Sequence, residues 1–329
     1  MERDAGLLAV VLAALAVAGC GGGDEDASPP PEPPDALVAM GLHDLGLAKS
    51  IELSERPARP VERRLEFGCG DALDQMVRSG DRLVFCGYES SSYSIDPDLE
   101  GKPARIGRGY FMPEQDGIVW LIYGRKVKRV TLEGEVLARG TVPCIPIAVT
   151  EAGGICQGRG QRTVKVTDIE TGRLIHRLPG VFASSNANTV AACREPCPAL
   201  HLSDATTGES RAIRPPDPLR FSPTYDAQFS PDETLLATEV YPEPAKPEKR
   251  FPQKNRSTSV ALVDLKSDEA TLIPDSELGG YGRITWSDDG ERLYFSARDG
   301  AINVYDLETE QTTKVPFDLK DTIFQLAAF

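Results

Sequence analysis

The sequence predicts an all-β chain, folded as a β-propeller of four-stranded blades, with seven blades favoured over six. Three observations lead there. Short β-branched and aromatic stretches are bounded by Gly, Pro, Asp and Ser; no long run of helical periodicity appears from residue 70 onward; and the strands recur at a near-constant period.

The period emerges when SYSIDPDLEGKPARI, VKRVTLEGEVLAR, VKVTDIETGRLIHRL and LHLSDATTGESRAI are aligned at the end of the apolar strand. Asp96, Leu132, Asp168 and Asp204 then coincide, each 36 residues after the last. Two further copies carry Asp264 and Asp306, at steps of 60 and 42, the longer step marking an insertion. Each copy alternates, as in Val164-Lys165-Val166-Thr167 and Ile302-Asn303-Val304-Tyr305, so one face packs and the other is polar. The Asp that follows accepts backbone N–H groups two or three residues on and starts a tight turn. In Asp168-Ile-Glu-Thr-Gly172 and Asp204-Ala-Thr-Thr-Gly208, the Gly supplies the positive φ the turn needs.

Upstream of the later hairpins lies a second strand pair, in YDAQFSPDETLLATEV and GRITWSDDGERLYFSARDG. Phe229-Ser230-Pro231-Asp232 and Trp286-Ser287-Asp288-Asp289-Gly290 resemble the FSPDG-x-x-L inner hairpin of the WD-like repeats in TolB-type propellers. Looser echoes are Arg78-Ser79-Gly80-Asp81 and Glu114-Gln115-Asp116-Gly117. The resemblance implies a propeller and carries no catalytic motif. Closed blades leave few free sheet edges. Six repeats run from about residue 70 to 318, and residues 321–329 read as one more inner strand. KSIELSE and VERRLEF, within 37–67, would supply outer strands of that same blade, so that the two chain ends close the ring. A β-sandwich with long loops would not need a 36-residue period.

The N-terminus has its own logic. The apolar run from Ala5 to Ala18 is shorter than the roughly 20 residues a spanning helix requires. It ends in small residues, as a signal peptide does. Val17-Ala18-Gly19-Cys20 matches the lipobox of bacterial lipoproteins, which implies a diacylglycerol on the Cys20 thiol and cleavage before it. Two or three acyl chains suffice for durable anchoring. The next segment, GGGDEDASPPPEPPD, has no basic residue and cannot bury a core. The expected organisation is therefore a lipoprotein signal peptide at 1–19, a lipidated Cys and acidic Pro-rich tether at 20–36, and a propeller domain at 37–329. The expected address is extracytoplasmic, lipid-anchored to the outer face of the bacterial cell membrane.

Cysteine usage agrees with export. Beyond Cys20, six cysteines fall into three local couples, Cys69/Cys86, Cys144/Cys156 and Cys193/Cys197, and that pairing is predicted. Zinc at Cys193-Arg-Glu-Pro-Cys197 would need a second close Cys or His couple. The formal net charge of −14 disfavours nucleic acid and anionic lipid as partners of the domain as a whole.

No catalytic constellation stands out, and no cofactor is expected. His43, His176 and His201 share no metal-ligand spacing, and no G-x-S-x-G elbow occurs. Asp168, Asp232, Asp288 and Asp289 read as turn caps. Asp288-Asp289-Gly290 lacks the spaced ligands of a calcium loop, and Gly153-Gly154 and Gly158-Arg-Gly160 sit in hairpins. One segment departs from the repeat. Tyr241 to Ser257 replaces a short turn and holds Lys246, Lys249, Arg250, Lys254 and Arg256 against Glu243 and Glu248. A basic, proline-stiffened loop on an acidic protein suits a protein or anionic envelope-polymer partner. The reading is a non-catalytic binding scaffold at the cell surface. Its alternative is an extracytoplasmic hydrolase or lyase using funnel carboxylates, with or without calcium, which rests on fold analogy. Several inward Asp, Glu, His or Asn side chains converging within metal-ligand reach would favour the enzyme; a lining of Ser, Thr and apolar side chains would favour the binder.

Overall fold

A computed structural model describes residues 36–41, 47–53, 61–65, 76–87, 91–114, 117–157, 162–194, 197–222, 227–242, 258–279, 283–297, 299–315 and 323–329. These residues form 29 strands in seven antiparallel sheets, the seven blades of a β-propeller. The first blade comprises Met76–Ser79, Arg82–Gly87, Ser91–Ile95 and Ala104–Arg108, and the second Tyr110–Pro113, Ile118–Tyr123, Lys126–Thr131 and Val136–Thr141. The third holds Ala148–Thr150, Gly153–Cys156, Thr163–Thr167 and Leu174–Pro179, and the fourth Val181–Ser185, Thr189–Cys193, Leu200–Asp204 and Ser210–Ile213. In the fifth, Leu219–Phe221 and Gln228–Phe229 both pair with Leu235–Pro242, which is followed by Ser259–Asp264 and Ala270–Leu272. The sixth is Ile284–Trp286, Arg292–Ser296, Ile302–Asp306 and Gln311–Lys314.

The seventh blade joins the two ends of the described chain. Its strand order is Ile323–Ala328, Ala36–Gly41, Leu47–Glu52 and Val61–Arg64. Leu37 lies opposite Ala328 and Ala39 opposite Leu326, with a bulge after Met40. Ala36 and Phe329 exchange both backbone hydrogen bonds, at 3.1 and 2.8 Å. Strand Ala36–Gly41 takes the second place in this blade, where only 47–52 and 61–64 match the outer strands expected from KSIELSE and VERRLEF. Ala36, assigned to the tether by composition, already belongs to a strand.

The insertion behind the 60-residue step is twofold. The first strand of the fifth blade is split between Phe221 and Gln228, and its second and third strands stand apart by residues 243–258.

Alternation decides which core each residue enters. In Ala36–Gly41, Leu37 and Ala39 join a cluster with Tyr294 and Ile302 of the sixth blade. Val38 and Met40 point the other way, to Leu83, Phe85 and Ile95 of the first. Both faces of a second strand are thus covered, and such strands are continuously buried, as in Leu236–Tyr241. The one-sided alternation expected of every repeat holds for third strands such as Thr163–Thr167, where Val164 is buried and Thr163 exposed.

Turn chemistry follows the repeat. Gly172 and Gly208 adopt φ of 68° and 76° four residues after Asp168 and Asp204. In the fifth and sixth blades the same position holds Asp268 and Glu310, at φ of 63° and 54°. A side chain there costs about 1 kcal/mol relative to Gly. Glu310→Gly should therefore stabilise the protein by about 1 kcal/mol in urea titration. Deleting residues 323–329 should abolish the single cooperative transition and give aggregated material on gel filtration, because strand Ala36–Gly41 would become an exposed edge.

Candidate functional site

First strands of neighbouring blades touch one another: Ile323–Ala328 contacts Met76–Ser79 on one side and Ile284–Trp286 on the other, and Val181–Ser185 lies between Ala148–Thr150 and Gln228–Phe229. They therefore line the centre of the ring, the position where a propeller holds a ligand. Their described side chains are Met, Val, Ser, Tyr, Phe, Pro, Ala, Thr, Leu, Gln, Ile and Trp, joined by Arg78 and Arg220. Arg78 is an ion-pair partner of Asp288, donates from Nε to the Gly80 carbonyl at 2.7 Å, and covers the Phe329 ring at 5.6 Å. It thus ties the first, sixth and seventh blades together. Among the described residues, no cluster of three or more His, Cys, Asp or Glu is arranged to hold a metal ion.

The ring has two rims of different chemistry. One, the turn rim, carries the hairpins joining first to second and third to fourth strands. The carboxylates concentrate there, and backbone N–H groups, hydroxyls and arginines are their partners. Asp204 Oδ1 accepts the N–H groups of Thr206 and Thr207 at 2.8 and 2.6 Å, and Asp264 those of Lys266 and Ser267 at 2.7 and 2.9 Å. Asp168 and Asp306 accept both the N–H and the hydroxyl of a Thr three residues on. The inner hairpins use a Ser relay. Ser287 Oγ donates to Asp289 at 2.5 Å and accepts the Arg292 N–H at 2.9 Å, and Ser230 does the same between Asp232 and Leu235.

These bonds favour the carboxylate form. Hydrogen bonding from Thr171 holds Asp168 below the usual carboxylate range, and the Thr207, Ser267 and Thr309 N–H groups do so for Asp204, Asp264 and Asp306. At Asp289 burial opposes ionisation, but Ser287, the Glu291 N–H and Arg292 outweigh it. These carboxylates are turn caps in the folded chain, as their repeat position predicts.

The other rim, the connection rim, carries the crossings between blades and the second-to-third strand turns. Its exposed charges over the first four blades include Arg108, Arg125, Lys126, Arg162, Arg194 and Arg214, with Asp217 as an opposing carboxylate. Two cysteine pairs lie on it. Cys144–Cys156 fixes the crossing that enters the third blade to the end of that blade's second strand, so Cys144 precedes the first strand rather than standing in it. Cys193–Cys197 clips the second-to-third strand turn of the fourth blade. Cys86, at the matching height in the first blade, is also disulfide-bonded. Cys69, its expected partner, lies outside the described residues, as do Cys20, His43, Lys246, Lys249, Arg250, Lys254 and Arg256. Pro242, the last described residue before that basic segment, ends a second strand and so reaches the connection rim.

The remaining histidines stand apart. His176 Nε2 lies 2.6 Å from the Thr206 carbonyl of the next blade, packed on Gly208, where a Cβ would come within 2.8 Å of the ring. It is an inter-blade contact. His201 lies in a third strand, paired with Ala192 and Ala212.

Composition and motif reasoning missed one surface feature. Tyr123 and Ile145 are large apolar side chains exposed on the connection rim beside its cations. The sequence signal was an Ile set between a paired cysteine and a proline.

The architecture defines the class of protein: a seven-bladed β-propeller. No family model matches the chain, and no curated protein matches its sequence. Solved structures match in fold. A Bacteroides fragilis protein provisionally described as a 6-phosphogluconolactonase aligns over 92% of this chain and 100% of its own, with 11% identity and a TM-score of 0.51. TolB from Acinetobacter baumannii aligns over 89% and 66%, with 10% identity and a TM-score of 0.49. Kuenenia stuttgartiensis hydrazine synthase aligns over 74% and 78%, with 14% identity and a TM-score of 0.48. Likenesses at such identities show the fold alone.

The turn caps dictate an acid response. A folded pKa below the unfolded value of about 3.9 gives stability that is present above that value and lost as pH falls through the folded one. The urea midpoint should therefore hold from neutrality to about pH 4.5 and fall below about pH 4. Replacing Asp168, Asp204, Asp264 and Asp306 with Asn should lower the midpoint at pH 7 and flatten the acid limb.

Proposed function

We propose that this chain is a lipid-anchored, extracytoplasmic binding propeller, a non-catalytic scaffold that presents its connection rim to a partner. The observation that carries the reading is the lining of the ring. Its inner strands supply apolar, hydroxyl and amide side chains, and their charged members are arginines. That composition suits binding, whereas a hydrolase or lyase of the funnel type would draw on inner-strand carboxylates. The turn carboxylates Asp204 and Asp264 are engaged by backbone N–H groups.

Anchoring at Cys20 gives the reading a direction. The chain enters the ring at Ala36, beside Phe329, on the turn rim. A tether from the membrane would join the ring on that side. The basic segment 243–256 follows Pro242 in sequence, on the connection rim, and would extend the contact surface toward an acidic protein or an anionic envelope polymer.

Two measurements test this. Cys20→Ser should move the protein from the membrane fraction to the soluble extracytoplasmic fraction; retention in the membrane would overturn the anchor. In a pull-down from detergent-solubilised envelope, the intact lipidated protein should retain a specific partner that a 243–256 deletion loses. Identical recovery by both would remove the segment from the binding face.

A further inference from the structure

We infer that the corner of the connection rim where the second blade meets the third is a docking surface for an acidic polypeptide segment carrying apolar side chains; this rests on reading the protein as a binding propeller.

Ile145 is 58% exposed, more than any other large apolar side chain described, and Tyr123 is 47% exposed. Neither belongs to a loose loop. Cys144, bonded to Cys156, holds Ile145 on one side. On the other, buried Pro146 accepts the Tyr110 hydroxyl at 2.9 Å, and the Ile147 N–H bonds the Ile155 carbonyl at 2.8 Å. Burial pushes the Tyr110 hydroxyl up to about 12, so it stays a donor at physiological pH. The segment is fixed at both ends with its apolar side chain in water.

The cations are part of the same patch. The Arg108 guanidinium stacks over the Tyr123 ring at 4.4 Å. Lys126 pairs in register with both Tyr123 and Thr141, and the Val142 N–H bonds the Arg125 carbonyl at 3.0 Å. No ion pair among the described residues involves Arg108, Arg125 or Lys126, while on the other rim Arg82, Arg211 and Arg292 each face an Asp.

Rigidly presented Tyr and Ile flanked by Arg is the composition of an interface centre, where preorganisation spares ordering entropy. These cations, which form no ion pair with a described carboxylate, suit carboxylates from the partner. A bare polyanion would satisfy the charges and leave Ile145 and Tyr123 unused, which is why the occupant is polypeptide.

The test uses the detergent-solubilised full chain and three fluorescein-labelled probes of matched length: poly(Glu,Tyr), poly-Glu and polyphosphate. Anisotropy titration should show poly(Glu,Tyr) binding about tenfold tighter than the other two. Ile145→Ser and Arg125→Glu should each weaken it about tenfold, and only the Arg125→Glu deficit should shrink as salt rises. Circular dichroism melts confirm folding, with Ile145→Thr as the milder replacement. Equal binding of the three probes, or binding unchanged by both substitutions, overturns the inference. Self-association in sedimentation that both substitutions abolish would also overturn it, by assigning the patch to a second copy. Ile145 and Arg125 lie outside Cys20 and residues 243–256, so an effect of substituting them is separate from those features, and this surface can fail while the anchored-propeller reading stands.

Discussion

The antiparallel pairing of Ala36–Gly41 with Ile323–Ala328 is the contact on which the rest of the ring depends. Each blade covers one face of its neighbour, so a ring lacking one strand would expose two packed surfaces and two sheet edges together. The pairing also decides where charge and apolar groups go. Alternation in this strand sends Leu37 and Ala39 into one inter-blade core and Val38 and Met40 into the other. Shifting its register by one residue would exchange the two sets and misfit both.

Much of this fold was legible because its punctuation is local. An Asp followed four residues later by Gly defines a hairpin through hydrogen bonds spanning two or three residues, and Asp168 and Asp204 occupy the places their spacing implies. The position persists even where Gly is replaced, as at Asp268 and Glu310, since the backbone turn is imposed by the paired strands. Strand Ala36–Gly41 was harder to see. Its ALVAMG sequence directly follows a proline-rich segment, and its partner lies at the far end of the chain, a relation that no window of sequence contains.

The candidate surface was less legible than the fold. The net charge of −14 takes in the acidic N-terminal stretch as well as two rims that differ in kind. Hairpin turns recruit Asp and Glu for backbone capping, which makes one rim acidic as a by-product of folding. The crossings and second-to-third strand turns of the first four blades show no such concentration, and there Arg108, Arg125, Lys126, Arg162, Arg194 and Arg214 are exposed. Charge summed over the chain hides the asymmetry; charge sorted by hairpin type reveals it. Tyr123 and Ile145 were invisible to motif reasoning because an exposed apolar residue acquires meaning only from what holds it in place.

Joining the first described strand to the last also sets a timetable. During synthesis, Ala36–Gly41 emerges early, yet its partner is made only when the ribosome reaches residues 323–328. Until then six blades can assemble in sequence, while the seventh keeps the outer edge of Ala36–Gly41 open to any passing strand. The chain is therefore open to misassociation until residues 323–328 dock on that edge, and their docking is the event that ends the risk.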